Sequence, residues 1–271
     1  MNIGKQIAEK RKNSGLTQQA LAEKLNVSFQ AVSKWENGFS CPDIELIPKI
    51  ATVLKTTTDA LFDYSAHSFT EYDVRYEKDG YFWGLQPNSL CYEIMKLKPP
   101  VKPYRVLDIG CGEGKDAVFL ARNGYSVTAF DVSVVGINKA KNLADNLGAN
   151  VDFFNADIRD YVPDTNYDII FSSGVFHYIP LSSRGKIIKN LKKYTNLNGI
   201  NVLNVFVKKP FIEAPPDSED SEKKVEAWKS GELFSFYHNW LFHRNDEIIF
   251  DCNSNGFPHK HCMDILIAEK I

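Results

Sequence analysis

The first 62 residues carry apolar side chains at Ile3, Ile7, Leu16, Leu21, Leu25, Val32, Trp35, Ile44, Ile47, Ile50, Val53, Leu54, Leu61 and Phe62. They recur mostly at three- and four-residue steps, the spacing of helices that bury one face. The polar punctuation is helical too. Ser14-Gly15 stops a first helix, Thr17 caps a second, Asn26 stands in a short turn, and Ser28 caps a third that ends at Asn37-Gly38. Five short helices fit, the last two at about Asp43–Leu54 and Thr58–Phe62.

From Ser65 to Gly84 the chain is aromatic and charged without a clear period. A helix near Asn88–Lys98 follows, and the proline-rich stretch Lys98–Pro103 breaks it. Beyond that, β-type runs at Tyr104–Ile109, Ser126–Phe130, Val151–Phe154, Tyr167–Ser172 and Ile200–Val207 alternate with helical patterns at Asp116–Asn123, Ser133–Leu147 and Ser182–Tyr194. This alternation predicts a parallel sheet with helices on both faces. Pro210–Lys224 is acidic and proline-rich, a loop or insertion, and Leu233–Ile271 is strand-like again. The division expected is a helical domain over 1–64, a linking and lid segment over 65–98, and an α/β domain over 99–271.

Charge adds a little. The first 62 residues hold eight Lys and Arg against six Asp and Glu, a net +2, which leaves −4 for the rest. That sign suits a small nucleic-acid module joined to an acidic enzyme. The five cysteines, Cys41, Cys91, Cys111, Cys252 and Cys262, are scattered and odd in number, which fits a reducing interior better than a disulfide framework. There is no apolar stretch of membrane-spanning length and no apolar leader after Met1, so no membrane partner and a cytoplasmic protein are expected.

The segment Leu16-Thr-Gln-Gln-Ala-Leu-Ala-Glu-Lys-Leu25-Asn-Val-Ser-Phe-Gln-Ala-Val-Ser-Lys-Trp35-Glu-Asn-Gly has the spacing of two crossed helices. Small Ala20 allows close approach, and Asn26 tolerates the left-handed turn. Leu21, Leu25, Val27, Val32 and Trp35 close the core, so Ser28, Phe29, Gln30, Ser33 and Lys34 are left outward to meet base edges, with Gln18 placed for phosphate. The stretch from Ile3 to Phe62 resembles the phage-repressor (Cro-type, XRE) helix-turn-helix family. That resemblance implies binding of double-stranded DNA by a homodimer.

The strongest chemical signal is Arg105-Val-Leu-Asp-Ile-Gly110-Cys-Gly-Glu-Gly114, a buried strand running into a glycine-rich turn and a helix. Its glycines stand at i, i+2 and i+4, which differs from the dinucleotide-binding fingerprint. Gly110 and Gly112 suit a ligand lying flat on the loop backbone without a pyrophosphate. Asp131, 17 residues after Gly114 at the end of the next strand, can accept two ribose hydroxyls, with Val132 beside it. Asp157 and Ile158 follow the third strand and can meet an adenine, and Ser172 and Ser173 open onto the same crevice.

From Tyr76 to Ile271 the chain resembles class I methyltransferases. This implies a Rossmann-like seven-stranded sheet with a C-terminal antiparallel strand and S-adenosyl-L-methionine as cofactor. It also implies Asp108 near the methionine amino group and Cys111 lining the loop by its backbone. No Asn/Asp-Pro-Pro-aromatic motif follows the fourth strand, and there is no Pro-Cys nucleophile, so nothing points to methylation of a base. The run Arg75-Tyr-Glu-Lys-Asp-Gly-Tyr-Phe-Trp83, with Gly174-Val-Phe-His-Tyr178 and Lys229-Ser-Gly-Glu-Leu233, is similar to the tellurite-resistance (TehB-like) methyltransferases. A small soft methyl acceptor follows, such as tellurite, selenite or a thiol. The alternative is a transcriptional regulator whose methyltransferase fold senses the cofactor without turnover.

His177 is the candidate general base, against a pocket-wall role between Phe176 and Tyr178. Tyr76, Trp83 and Tyr178 are candidates for lid and acceptor contacts, against ordinary aromatic packing, and Pro210–Glu232 is a candidate cover on the acceptor side. His259-x-His261-Cys262 has a spacing that metals accept, but without further ligands at fixed spacing the expectation is no metal and exposed strand histidines.

Overall fold

In the computed structural model, residues 3–62, 70–213, 227–252 and 258–271 are described. They divide into two compact units, Met1–Ser68 and Phe69–Ile271. The unit boundary assigns the described part of the 65–98 segment to the second unit. Of the acidic insertion, residues 214–226 lie outside the described part.

The first unit has helices α1 (Ile3–Asn13), α2 (Gln18–Leu25), α3 (Phe29–Glu36), α4 (Ile47–Val53) and α5 (Thr58–Leu61), with a 3₁₀ turn at Ile44–Leu46. Local chemistry sets the ends. The Thr17 hydroxyl accepts from the Ala20 N–H, Ser28 does the same for Ala31, and Asn26 closes α2 in the left-handed region at φ 59°. Ile7, Leu21, Ala22, Leu25, Val32, Trp35, Ile47, Ile50, Ala51, Leu54 and Leu61 form the core. The expected close approach at Ala20 is made elsewhere. Ala20 is half-buried, whereas Ala22 is buried and a Cβ on Gly4 would fall 1.8 Å from the Trp35 carbonyl oxygen.

The second unit opens with α6 (Glu71–Tyr76) and α7 (Ser89–Leu97). There follow β1 (Arg105–Ile109), α8 (Lys115–Arg122), β2 (Ser126–Asp131), α9 (Val134–Leu147), β3 (Val151–Asn155), β4 (Tyr167–Ser172), α10 (Leu181–Lys193), β5 (Thr195–Phe206), α11 (Glu232–Ser235), β6 (Leu241–Cys252) and β7 (His259–Glu269). The seven strands lie in the order β3-β2-β1-β4-β5-β7-β6. β1 to β5 pair in parallel, and β7 runs antiparallel to both β5 and β6. β1 and β4, adjacent in space but not in sequence, form the switch point at whose carboxyl edge ligands sit in such sheets. Each face of the sheet buries its own apolar cluster, one around Val106, Ala129, Ile169 and Val202, the other around Leu107, Phe130, Ile170 and Leu203. Where the strand-like tail was expected to begin, Glu232–Ser235 instead forms a helical turn, because Gly231 at φ 74° turns the chain and Leu233 is buried.

Candidate functional site

β1 delivers the chain into Gly110, Gly112 and Gly114, whose φ values of 72°, 54° and 85° are left-handed. Side chains would not fit either. A Cβ would lie 2.1 Å from Val175 Cγ2 at Gly110, 2.8 Å from the Tyr76 hydroxyl at Gly112 and 2.6 Å from Ala140 Cβ at Gly114. The loop's own neighbours therefore exclude side chains. The loop is pinned as well as packed: the N–H groups of Gly110 and Cys111 donate to the Phe130 carbonyl at 2.8 and 3.0 Å. The Cys111 thiol is half-buried and pushed well up by burial, so it is inert at neutral pH.

Three carboxylates surround this loop. Asp131 at the end of β2 accepts the Gly112 N–H on Oδ2 and the Ser133 N–H on Oδ1, both at 2.8 Å. Burial pushes it up to about 6 in spite of those two bonds. Asp108 is 2% exposed and its Oδ2 has no hydrogen-bond partner among the described residues. Burial, and then the charge of Asp116, push it well above the usual carboxylate range. Asp116 is itself occupied, accepting the Asn88 N–H at 2.6 Å and lying 3.1 Å from the Lys115 ammonium. Asp108 thus offers an enclosed carboxyl whose ionised form lacks a cation, and the α-amino group of S-adenosylmethionine is one. The residues fit that cofactor.

α6 lies over the glycine loop and the start of α9. Thr70 and Asp73 form a capping box, and Asp73 reaches on to accept from the Ser133 hydroxyl. Lys139 donates to the carbonyls of Tyr76 and Lys78 at 2.8 and 3.0 Å and pairs with Glu113 at 2.7 Å. Glu113 in turn accepts the Phe82 N–H at 2.6 Å. Tyr76 is buried on the loop, and half-exposed Trp83 donates from its indole to the Tyr76 hydroxyl at 3.2 Å. Sequence reading missed Asp73, although Thr70-x-x-Asp73 is a capping-box pattern, and it missed Asn88, Glu113, Ser133 and Lys139.

The turn after β4 brings the acceptor-side residues together. Ser172 is fully buried and donates to the Ile109 carbonyl at 2.9 Å, so its hydroxyl ties β4 to β1. Ser173 Oγ accepts from Asn88 Nδ2 and Asn204 Nδ2, each at 2.9 Å. The His177 ring packs tilted against Tyr178 at 4.0 Å and edge-on to Phe206 at 4.6 Å, with Nδ1 enclosed and without a partner among the described residues. Burial, aided by His261, pushes it down to about 3, so the ring is a neutral acceptor and a weak base. The hydroxyls of Tyr72 and Tyr178 meet in a hydrogen bond. Trp228, from the far side of the insertion, donates to the Phe176 carbonyl at 2.9 Å and holds this turn.

The two residues expected at the adenine have protein neighbours of their own. Asp157 accepts from its neighbour Arg159 through backbone and side chain. Burial tends to raise it, but those bonds hold it below the usual carboxylate range. Ile158 is buried in the core with Phe130. Val132 is exposed past β2. Cys262, expected beside the histidine pair, is buried on the opposite sheet face, because neighbours along a strand alternate. Cys252, paired with His259 in the β6–β7 ladder, takes that place.

In the first unit Phe29, Gln30 and Lys34 are exposed on α3, with Ser33 half-buried. Ser28 spends its oxygen on the cap of α3. Gln18 is turned inward: its amide donates to Glu36 Oε2 at 2.7 Å, and Glu36 also takes two bonds from Arg11 at 2.6 and 2.8 Å. That network locks α1, α2 and α3 together and commits one of the two amide N–H groups of Gln18 to Glu36.

Residues 87–253 match the model of the family described as tellurite resistance protein TehB, and residues 7–61 match a helix-turn-helix family. A probable S-adenosyl-L-methionine-dependent methyltransferase TehB of Haemophilus influenzae is 29% identical over 176 residues, covering 63% of this chain and 58% of that protein. The 2-heptyl-1-hydroxyquinolin-4(1H)-one methyltransferase of Mycobacteroides abscessus is 33% identical over 168 residues, 61% of this chain and 71% of that one. The crystal structure of TehB from Haemophilus influenzae superposes with a TM-score of 0.60 at 26% identity, over 68% of this chain and 62% of that one. The chain belongs to the TehB family, and its N-terminal unit is a helix-turn-helix domain of the phage-repressor type.

Proposed function

We propose that this chain is an S-adenosylmethionine-dependent methyltransferase for a small soft nucleophile such as tellurite, selenite or a thiol, joined to a DNA-binding domain. The observation that carries the reading is the enclosed, unpartnered Asp108 oxygen beside the left-handed glycine loop. The likeness to the probable S-adenosyl-L-methionine-dependent methyltransferase of Haemophilus influenzae supports it. When bound, the cofactor supplies an electrophilic methyl group on a sulfonium centre.

The protein's own share is to bind, orient and exclude water. Asp108 receives the ammonium. Asp131 keeps a lone pair on each oxygen after its two backbone bonds, enough to accept ribose hydroxyls. Tyr76, Tyr72 and Tyr178 wall the cleft with rings, and His177 presents an unprotonated imidazole. Aligning two partners in a dry pocket supplies roughly 7–11 kcal/mol. An anionic acceptor needs no proton removed, which suits a site where His177 is a weak base.

The test is transfer of a labelled methyl group to tellurite, selenite and a panel of thiols. Turnover on one of them supports the reading; tight cofactor binding with no turnover on any would leave a sensing role. Exposed Gln30 and Lys34 on α3 support DNA binding by the first unit, and a homodimer would double a weakly basic surface. Among the described residues no helix is long and apolar enough to cross a membrane.

A further inference from the structure

The β6–β7 hairpin carries a group of side chains that methyl transfer does not use. Cys252 lies opposite His259 in the ladder and Phe250 lies opposite His261. Because strand side chains alternate, Cys252, His259 and His261 share one sheet face. Their Sγ and ring nitrogens all lie within 4.8 Å of one another, and the two Nε2 atoms are 2.8 Å apart. Tetrahedral zinc, with Zn–N about 2.0–2.1 Å and Zn–S about 2.3 Å, needs N···N near 3.3 Å and S···N near 3.6 Å. The two imidazole nitrogens stand closer together than that and the sulfur lies within reach of both, so side-chain rotations that part the rings would seat an ion.

The surroundings fit as well. The Phe206 and Phe250 rings pack against His261 at 4.7 and 5.8 Å, giving the donors a partly dry wall. Phe206 also stands between His261 and His177, so the group faces the turn that bears His177. Sulfur with two imidazoles selects borderline-soft divalent ions over magnesium or calcium, and three protein ligands leave a fourth position open.

The geometry points to a divalent transition-metal site of the zinc class, built by Cys252, His259 and His261 at the end of the β6–β7 hairpin. On binding, the Cys252 thiol proton passes to solvent and the sulfur binds as thiolate. The hydrogen shared between the two Nε2 atoms moves by tautomerisation to Nδ1 of its own ring, so each imidazole stays neutral and binds through its Nε2 lone pair.

The site is tested on the full chain without cofactor or acceptor, so its outcome is independent of methyl transfer. The chain is dialysed against Zn²⁺ and then Co²⁺, with metal content and the Co²⁺ absorption spectrum recorded. One ion per chain is expected, with the intense visible bands of tetrahedral cobalt and a thiolate-to-cobalt charge-transfer band. Cys252→Ser should abolish the charge-transfer band, and either Cys252→Ser or His261→Asn should weaken affinity by more than the roughly 10–100-fold of losing an outer-shell partner. Cys41→Ser, in the first unit, should change nothing. Circular dichroism before metal addition shows whether each variant is folded. Absence of a stoichiometric ion on the wild-type chain, or a cobalt spectrum that Cys252→Ser leaves intact, overturns the assignment.

Discussion

Replacing Asp108 with asparagine should move stability and cofactor affinity in opposite directions. Without cofactor, the carboxyl is 2% exposed, leaves Oδ2 unpartnered, and is pushed well up by burial and Asp116. A group whose folded pKa is raised costs nothing below its unfolded pKa, near 4, and costs progressively more as pH climbs. Asp108→Asn removes that cost, since a buried amide is cheaper to desolvate than an unpaired carboxylate. The unliganded variant should therefore match wild type near pH 4 and exceed it at pH 7 by about 1–2 kcal/mol. For a domain of this size that is a rise in Tm of about 2–8 °C. The same substitution removes a charge-assisted bond worth about 1.5–3 kcal/mol, so the Kd for S-adenosylmethionine should rise about 10- to 150-fold. Differential scanning fluorimetry against pH, with calorimetric titration of the cofactor, reads both quantities. A variant that melts lower than wild type at pH 7 and binds the cofactor equally well would refute the reasoning.

Other consequences are as direct. Gly110→Ala meets both a left-handed φ, costing about 1–2 kcal/mol, and overlap with Val175, costing about 1–3 kcal/mol. Urea denaturation should show a loss of about 2–5 kcal/mol, with Val175→Ala recovering only the overlap part; a single variant as stable as wild type would contradict this. His177, held neutral down to about pH 3, should leave no limb near pH 6.5 in the profile of kcat/KM, and a limb there that vanishes in His177→Asn would be evidence for a protonating base. Lys34→Ala should lower the salt slope of binding to duplex DNA by about one, measured by fluorescence anisotropy, whereas an unchanged slope would place α3 away from the phosphates.

Much of this was legible because single residues had single tasks. Asn26 and the three glycines of the β1 loop mark left-handed positions that few other residues tolerate, and both appear where the pattern placed them. Strand alternation with helices gave the parallel sheet. Side-chain destinations at strand ends were less legible. Ser172 and Asp157 follow strands as cofactor contacts would, yet one turns back to the Ile109 carbonyl and the other is taken by Arg159 two residues away. Nothing in strand periodicity separates these outcomes, because the choice depends on which partner lies nearest in space. Asp73 escaped for a related reason: its capping box is local, but its bond to Ser133 spans 60 positions. Cys252 could join His259 only once the hairpin register was known, since shifting a ladder by one residue turns every side chain to the other face.

The position of β7 has a further consequence, for how the protein is made. β7 is the last strand along the sequence, yet it lies between β5 and β6 and pairs with both. While a ribosome is still adding residues 259–269, Ile200 through Phe206 on β5 have no partner on that side and β6 has no sheet to join. An open, apolar strand edge is the form most prone to pairing with other chains. The helical unit closes from local contacts and can fold early, whereas the sheet must wait for β7 to fill the place between β5 and β6. Chaperone demand during synthesis should thus concentrate on the interval between the emergence of β5 and that of β7.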